Sequence, residues 1–506
     1  MKKHNIWLFL LTFFMKNAML KHIGNVKMKG KGMRMYQVSK RDGQIAEFNL
    51  SKISVAIEKA FKAQDKEYNQ DIIDLLALKV TADFAPKVKN SLIQVEDIQD
   101  SVENILIKAG YADVAKGYIL YRKQREKIRN LNSTMLDYKE IVDSYVKVTD
   151  WRVKENSTVT YSVGGLILSN SGAITANYWL SEIYDEEIGQ AHRNADIHIL
   201  SMLTGYCAGW SLKQLIQEGL GGIPGKISSS PAKHLSVLCN QMVNFLGIMQ
   251  NEWAGAQAFS SFDTYLAPFV KADHLSYREV KKCIESFIYG VNTPSRWGTQ
   301  APFSNITLDW TVPNDLANLP AIVGGKEMDF TYGDCKEEMD MVNKAFIEVM
   351  IEGDAHGRGF QYPIPTYSIT RDFDWSDTEN NRLLFEMTAK YGTPYFSNYI
   401  NSDMEPSDVR SMCCRLRLDL RELRKKSGGF FGSGESTGSV GVVTINMPRI
   451  AYQSENEDEF FARLDKLMDV SARSLHIKRT VISKLMEEGL YPYTKRYLGT
   501  FANHFS

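Results

Sequence analysis

The sequence predicts an α/β protein in which a small unit, made of a hairpin and helices, precedes a larger layered or barrel-like unit. Its 506 residues are more than one compact core usually supports. Residues 36–129 carry a hairpin pattern followed by helical stripes. After residue 150, helical segments alternate with single short apolar strands, which is typical of α/β folds.

The composition narrows the class of partner and the compartment. Sixty basic and sixty acidic residues leave no net charge. A nucleic-acid-binding surface needs excess basic charge to displace counter-ions, so no nucleic-acid partner is expected. Six cysteines, none in a CxxC pair, are too few for a disulfide scaffold and indicate no zinc site. We therefore predict a reducing, cytoplasmic compartment and no metal ligands.

Residues 1–35 form a leader. Lys2 and Lys3 precede an apolar run, Ile6 to Met15, which resembles a signal peptide. No small-residue cleavage site follows cleanly, and the run is too short to span a bilayer. Since the organised pattern begins near Met35, we expect the leader to be disordered or to follow a misassigned start codon, with no membrane association.

The first unit, residues 36–129, opens with two short strands. Tyr36–Lys40 and Ile45–Phe48 flank a turn containing Asp42-Gly43, a strong hairpin signal. Ser51 is then predicted to cap a helix. Two further apolar stripes at helical spacing follow: Val95, Ile98, Val102, Ile105 and Leu106, then Val114, Tyr118, Tyr121 and Arg125.

A polar linker is expected at residues 130–150, and the second unit occupies residues 151–506. Its predicted helices are Ala191–Gln217, Leu235–Phe259, Tyr277–Tyr289 and Glu337–Glu352. Its predicted strands are Ser304–Leu308, Thr366–Ile369 and Val440–Ile445. Ser427–Ser439, rich in Gly and Ser, is interpreted as a flexible loop or hairpin tip.

Basic residues surround the first turn. Lys40 and Arg41 lie beside it, and Lys52 lies close to a helix N-terminus, where backbone donors help to bind phosphates. Charge alone favours an exposed basic hairpin with no ligand. The full arrangement, however, resembles the ATP-cone, a regulatory domain at the front of many ribonucleotide reductases. The matching runs are Val38-x-Lys-Arg-Asp-Gly43, Lys52-Ile-x-x-Ala-Ile57, Val95–Glu103 and Ala115–Arg122.

The ATP-cone resemblance implies that the first unit binds ATP or dATP as an allosteric effector, without hydrolysing it. The residues implied in binding are Val38, Lys40, Arg41, Asp42, Gly43, Lys52, Lys116 and Tyr118.

Three motifs in the second unit carry possible chemistry. Cys207, within Gly205–Trp210, is by default a buried core cysteine. Cys413 and Cys414 are adjacent, so on a strand only one of them faces a given side. Asn446 follows an apolar strand, where asparagine often forms a turn but can also bind a ligand hydroxyl through its amide.

Taken in this order, the three motifs resemble the catalytic subunit of anaerobic, glycyl-radical ribonucleoside-triphosphate reductases. Further matching runs are Pro294–Gly298, Pro302–Ile306, Phe360–Tyr367 and Tyr497–Phe505. The resemblance implies a ten-stranded α/β barrel in two antiparallel halves. It also implies that a thiyl radical at Cys414, or alternatively Cys413, removes the ribose 3′ hydrogen. Cys207 then supplies hydrogen after the 2′ hydroxyl leaves, and Asn446 hydrogen-bonds the ribose hydroxyls.

The same resemblance implies several partners: ribonucleoside triphosphates, formate as reductant, a radical S-adenosylmethionine activase, and a homodimer that enlarges with dATP. The family's four-cysteine zinc site and its Arg-Val-x-Gly-Tyr-like glycyl-radical loop have no counterpart in this sequence. We therefore expect a truncated or split gene product that is inactive alone. Two alternatives remain, another glycyl-radical enzyme, which would lack the ATP-cone, and a non-catalytic nucleotide-binding remnant.

Overall fold

The computed structural model describes residues 36–40, 45–123, 142–143, 145–147, 161–294, 301–404, 406 and 436–498. The chain divides into two units, Met1–Ser133 and Thr134–Ser506. The leader lies outside the described residues, as do Arg41–Gly43 and the pair Cys413-Cys414. Among the described residues, no helix is both long and apolar enough to cross a membrane.

The described part of the first unit contains a three-stranded sheet. The central strand β1 pairs antiparallel with β2 and parallel with β3. The strands are β1 (Gln37–Ser39), β2 (Ile45–Glu47) and β3 (Leu92–Gln94). The predicted hairpin pairing is therefore confirmed, with Val38 opposite Ala46.

Helices complete the first unit: α1 (Leu50–Lys62), α2 (Gln70–Phe84), α3 (Val95–Lys108) and α4 (112–123). The cap of α1 is Asn49, whose side chain accepts a hydrogen bond from the backbone N–H of Ser51. The prediction of Ser51 as the cap was wrong, because Asn49 offers an equivalent acceptor two residues earlier. Most residues of the predicted stripes contribute to the buried core together with α1 and α2, but Tyr121 is 45% exposed and Arg125 lies outside the described residues.

A six-stranded sheet organises the described part of the second unit, in the order β11-β10-β7-β6-β5-β12. Strands β5 to β11 of this sheet pair in parallel, and β12 pairs antiparallel with β5. The strands are β5 (Ala208–Trp210), β6 (Gln257–Phe259), β7 (Ser304–Leu308), β10 (Ile364–Ile369), β11 (Tyr395–Asn398) and β12 (Thr437–Gly438). The ten-stranded barrel stays a prediction.

Helices connect the parallel strands, as parallel pairing requires, and further helices lie before and after this sheet in the chain. They are α5 (Val163–Tyr178), α6 (Glu186–Arg193), α7 (Leu212–Glu218), α8 (Leu235–Glu252), α9 (Phe262–Ala272), α10 (Tyr277–Asn292), α11 (Asn314–Ala317), α12 (Lys336–Glu352), α13 (Glu379–Tyr391), α14 (Met447–Gln453), α15 (Glu457–Glu487) and α16 (Pro492–Leu498). Two small antiparallel sheets remain, one formed by β4 (Ile197–Ile199) with β13 (Val443–Ile445) and one by β8 (Pro320–Val323) with β9 (Lys326–Thr331).

Two sequence predictions in this unit were wrong. Ala191–Gln217, predicted helical, contains the end of α6, two strands and most of α7. Ile197 and Ile199 are buried and His198 between them is exposed, which is the two-residue period of a strand. In a short apolar run this period is hard to distinguish from that of a helix. Leu235–Phe259 is helical only to Glu252, because its last residues join the parallel sheet as β6. The strand predicted at Ser304–Leu308 is confirmed.

Candidate active site and nucleotide cleft

The two faces of the six-stranded sheet differ in chemistry. One face carries Phe259, Ile306, Leu308 and Tyr367, all fully buried in the main hydrophobic core. Because side chains alternate along a strand, Asn305 and Thr307 lie on the opposite face. This second face is therefore lined by small and polar side chains, and it is called the polar face below.

The register places residues of four strands in one row of the polar face. Gly209 pairs with Ala258, Ala258 with Asn305, and Asn305 with Ile364. One row further along, Thr307 pairs with Thr366 and Thr366 with Tyr395. None of the side chains in these two rows is charged.

Cys207 belongs to the polar face. It is fully buried and packs with Ala256 and Phe303. Those two residues precede Ala258 and Asn305 by two positions, so they share their side of the sheet. The Cys207 thiol thus lies one row before Gly209, at the amino end of β5.

Close backbone packing holds Cys207 in place. Its carbonyl accepts hydrogen bonds from the Ser439 N–H at 2.8 Å and the Trp253 indole N–H at 3.1 Å. The ring of Trp253 also lies so close to Gly205 that a Cβ there would come within 1.8 Å of it. Gly205 is therefore required by space, and the motif around Cys207 reflects packing as well as chemistry.

Two polar groups on the polar face have no hydrogen-bond partner among the residues that the structure describes. Asn305 and Thr307 are each 5% exposed, yet the Asn305 Oδ1 and the Thr307 Oγ1 accept or donate no hydrogen bond. Buried polar atoms nearly always have a partner. The sequence analysis did not assign Asn305, although the run Pro302–Ile306 was part of the resemblance.

Asn446 has a different environment from the one expected. It caps α14 at the end of β13, and its Oδ1 accepts a hydrogen bond from the Arg449 N–H at 3.1 Å. Its Nδ2 donates to the Ala195 carbonyl at 2.9 Å. Its backbone N–H donates to the carbonyl of Asp196, whose carboxylate pairs with Arg449 at 2.7 Å. Both ends of the amide are therefore engaged within the protein.

A cavity of about 490 Å³ opens at the carboxyl ends of β7 and β10. Beside it, Asp263 is fully buried and accepts hydrogen bonds from the backbone N–H groups of Thr264, Asp309 and Trp310 and from the Asn343 amide, at 2.8–3.1 Å. Burial raises the pKa of the Asp263 carboxyl, and these donors oppose that rise. These hydrogen bonds hold the edge of the cavity in place. At ~3.3 Å per residue along a strand, this edge lies roughly 20 Å from Cys207.

The first unit contains a cleft of about 350 Å³ between α1, α3 and α4. Its lining residues are Lys52, Val55, Ala56, Lys59, Gln99, Tyr118, Tyr121 and Arg122. Of the residues expected to bind nucleotide, the cleft brings together Lys52 and Tyr118. Lys116 is exposed and does not line it, and neither do Val38 and Lys40 on and beside β1.

Arg122 is the most strongly paired cation of the cleft. Its guanidinium donates to the carboxylates of Glu96, Asp100 and Glu103 on α3, at 2.5–2.8 Å. These carboxylates raise the pKa of Arg122 well above its usual value, against the effect of burial. Within the described part of the chain, neither Lys52 nor Lys59 forms a salt bridge. These two ammonium groups are therefore the ones available to a phosphate.

Lys59, Gln99 and Arg122 line the cleft but were not among the residues predicted to bind nucleotide. The spacing contained a usable signal, because Arg122 lies four residues after Tyr118 and so on the same face of α4. Across the described ranges, no group of three or more His, Cys, Asp or Glu side chains is placed to hold a metal ion.

Comparisons with known proteins agree with this division. A family model described as anaerobic ribonucleoside-triphosphate reductase matches residues 155–506, and one described as ATP cone domain matches residues 36–127. The anaerobic ribonucleoside-triphosphate reductase of Haemophilus influenzae is 22% identical over 484 residues, covering 88% of this chain and 63% of the relative. The Escherichia coli enzyme is also 22% identical, covering 87% and 62%.

A shorter match involves another kind of reductase. The ribonucleoside-diphosphate reductase subunit alpha of Chlamydia pneumoniae is 39% identical over 107 residues, which cover 20% of this chain and 10% of the relative.

The chain also shares its fold with solved structures. The anaerobic ribonucleotide reductase from Thermotoga maritima, in complex with dATP and CTP, superposes with a TM-score of 0.53 at 20% identity. The match covers 75% of this chain and 66% of that one. The chain spans less than two thirds of the length of the curated relatives named above. Since one family model matches residues 155–506, the chain belongs to the anaerobic ribonucleoside-triphosphate reductase family.

Proposed function

We propose that this chain takes part in the reduction of ribonucleoside triphosphates to deoxyribonucleoside triphosphates, under the control of ATP or dATP. The observation that carries the proposal is the position of Cys207, fully buried on an uncharged polar face of a parallel sheet. A thiol that handles hydrogen atoms on a sugar must be held still and shielded from water.

The reaction is a two-electron reduction at the 2′ carbon. A ribonucleoside triphosphate, formate and one proton give the deoxyribonucleoside triphosphate, carbon dioxide and water. Formate is oxidised, and the 2′ C–O bond is replaced by C–H. In this scheme a Cys414 thiyl takes the 3′ hydrogen and later returns it, while the Cys207 thiol supplies hydrogen to the 2′ carbon.

The sequence does not account for the origin of the radical. A glycyl radical would generate the thiyl, and a four-cysteine zinc site accompanies it in the family. The printed sequence has no CxxC pair and no Arg-Val-x-Gly-Tyr-like loop, so its residues do not fit either group. No step is therefore assigned to them, and Cys414 lies outside the described residues.

Regulation is proposed for the first unit. ATP or dATP would bind in the cleft, with Lys52 and Lys59 near the phosphates and Tyr118 or Tyr121 against the base or sugar. The N-terminus of α1 adds favourable dipole potential near Lys52. A radical S-adenosylmethionine activase, a homodimeric assembly and a cytoplasmic location are part of the same proposal.

The deciding test is substrate binding. The Lys52→Ala substitution should weaken nucleotide binding in the cleft of the first unit. In this variant, isothermal titration calorimetry should detect CTP binding to the second unit. Cys207→Ala should retain this binding, since the thiol acts in chemistry. Absence of CTP binding, with dATP still binding to the unmodified chain, would favour a non-catalytic nucleotide-binding role.

Reduction is tested with activase, S-adenosylmethionine and formate under anaerobic conditions. Wherever dCTP forms, Cys207→Ala and Cys414→Ala should abolish it, whereas Cys413→Ala should leave some. Cys239→Ala is the matched control, because Cys239 is a fully buried core residue of α8 away from the polar face. Loss of activity in that control would show a general packing defect.

A further inference from the structure

Asn305 carries the least satisfied amide on the polar face. It is 5% exposed, and no group in the described part of the chain donates to its Oδ1. Leaving a buried acceptor unpaired destabilises the folded protein. A group that persists in this state, on the same face as the proposed catalytic thiol, indicates a site that a ligand completes.

The neighbours of Asn305 in its row have small side chains. The row between Asn305 and β5 holds Ala258 and Gly209, whose side chains extend no further than a methyl group. Two strand spacings of ~4.8 Å separate Asn305 from Gly209, and Cys207 lies about 7 Å further along β5. Gly209 and Ala258 therefore form a floor of small residues between Asn305 and Cys207.

The chemistry of this floor selects the sugar over the phosphates. Asn305 and Thr307 are neutral, and their rows contain no lysine or arginine. Phosphates in proteins are usually bound by cations or by helix N-termini. A neutral amide oxygen and a hydroxyl are suited to sugar hydroxyls, which both donate and accept hydrogen bonds.

Asn446, the asparagine implied by the family resemblance, is less available. Its amide already caps α14 and donates to the Ala195 carbonyl. A ribose hydroxyl binding there must displace one of these hydrogen bonds. At Asn305 the ribose hydroxyl would instead donate to an oxygen that has no other donor among the described residues.

We propose that Asn305 binds the substrate, its Oδ1 accepting a hydrogen bond from a ribose hydroxyl and thereby positioning the sugar over Gly209 and Ala258 beside Cys207. Thr307 offers a second hydroxyl one row further along the same face. The proposal rests on the proposed reductase function, and it names the side chain that orients the reacting ring.

The experiment is calorimetric titration of CTP, 2′-deoxy-CTP and 3′-deoxy-CTP in the Lys52→Ala background. Asn305→Ala should weaken CTP about tenfold, the size of one hydrogen bond to a neutral group. The analogue that lacks the contacted hydroxyl should bind weakly from the start and lose little more in Asn305→Ala. Asn305→Thr, which keeps a polar group on a strand, should recover part of the CTP affinity.

Ser304→Ala is the matched control. Ser304 is the adjacent residue, fully buried with a partnerless Oγ, but its side chain faces the opposite side of the sheet. CTP affinity should be unchanged in this variant. An equal loss in Ser304→Ala would overturn the proposal by assigning the effect to strand packing.

The remaining outcomes separate the two claims. If CTP binds and Asn305→Ala and Asn305→Thr leave its affinity and hydroxyl preference unchanged, the role of Asn305 is rejected while the reductase function stands. A hydroxyl-specific loss in Asn446→Ala alone would transfer the contact to Asn446. If CTP does not bind to any form, the proposed function itself fails.

Discussion

The cleft of the first unit and the polar face of the six-stranded sheet differ in exposure and in charge. The cleft is open and carries Lys52, Lys59 and Arg122, whereas the polar face is buried and holds only neutral groups around Cys207 and Asn305. Cations that remain partly solvated cost little and attract phosphates. A hydrogen-transferring thiol needs a dry environment, where an unpaired charge would be expensive. In the proposal made above, the cleft is therefore suited to the phosphates of an effector nucleotide, and the polar face is suited to the sugar of a substrate nucleotide.

The charged side chains of the two units also differ in burial and in the partners that compensate their charge. In the first unit Arg122 is 21% exposed and shares three carboxylates. In the second unit Asp263 and Lys478 are fully buried, and both rely on hydrogen bonds to uncharged groups. Because desolvation is most costly there, we expect the largest stability effects at these two residues.

Asp263→Ala should give the largest effect. It leaves three backbone N–H groups and the Asn343 amide without their acceptor, so the second unit should lose about 3–5 kcal/mol of unfolding free energy. Urea unfolding followed by tryptophan fluorescence measures this, since the described part of the first unit contains no tryptophan. Asp377→Ala, which removes an exposed pair with Arg382, should cost under about 1 kcal/mol. Equal losses in both variants would contradict the special role of the buried carboxylate.

Lys478 should make the stability of the second unit depend on pH. Within the described part of the chain, its ammonium donates to the carbonyls of Leu200 and Ser201, and burial lowers its pKa from 10.5 to about 7. Between these values the unfolded chain binds a proton that the folded chain does not. Stability should therefore rise as pH increases from about 7 to 10, by up to about 1.4 kcal/mol per pH unit.

Lys478→Met should remove this contribution. The difference in unfolding free energy between variant and unmodified chain should be largest near pH 7 and should shrink as pH rises. Lys484→Met, at an exposed position on the same helix, is the control and should show no such trend. A pH-independent difference for Lys478→Met would contradict this prediction, because it would mean that the lysine has the same pKa in the folded and unfolded chains.

Lys52→Ala should give the smallest of the three effects. Losing one charge-assisted contact to a phosphate should weaken dATP binding by about 1.5–3 kcal/mol, or roughly 10- to 150-fold. Calorimetry with Lys116→Ala tests the cleft directly, because Lys116 was expected from the resemblance but does not line it. Comparable losses in both variants would place the nucleotide outside the cleft.

Local patterns predicted the first unit well. The Asp-Gly turn predicted the pairing of β1 and β2, and helical stripes predicted the buried faces of α3 and α4. The error at the start of α1 arose because Asn49 and Ser51 are both good caps. In the second unit the stripe rule failed at Ala191–Gln217, where short strands and loops carry apolar residues at spacings that also suit a helix.

The sequence by itself determined the family, the order of the two units and the identity of Cys207 as a residue of interest, because these depend on local motifs. Only the tertiary structure decided which side chains share a face. Parallel pairing across β5, β6 and β7 brings Cys207 and Asn305 together from positions nearly one hundred residues apart, and the fold occupies the Asn446 amide with capping bonds. Register is a property of the assembled sheet, and a shift of one residue would turn Asn305 to the other face.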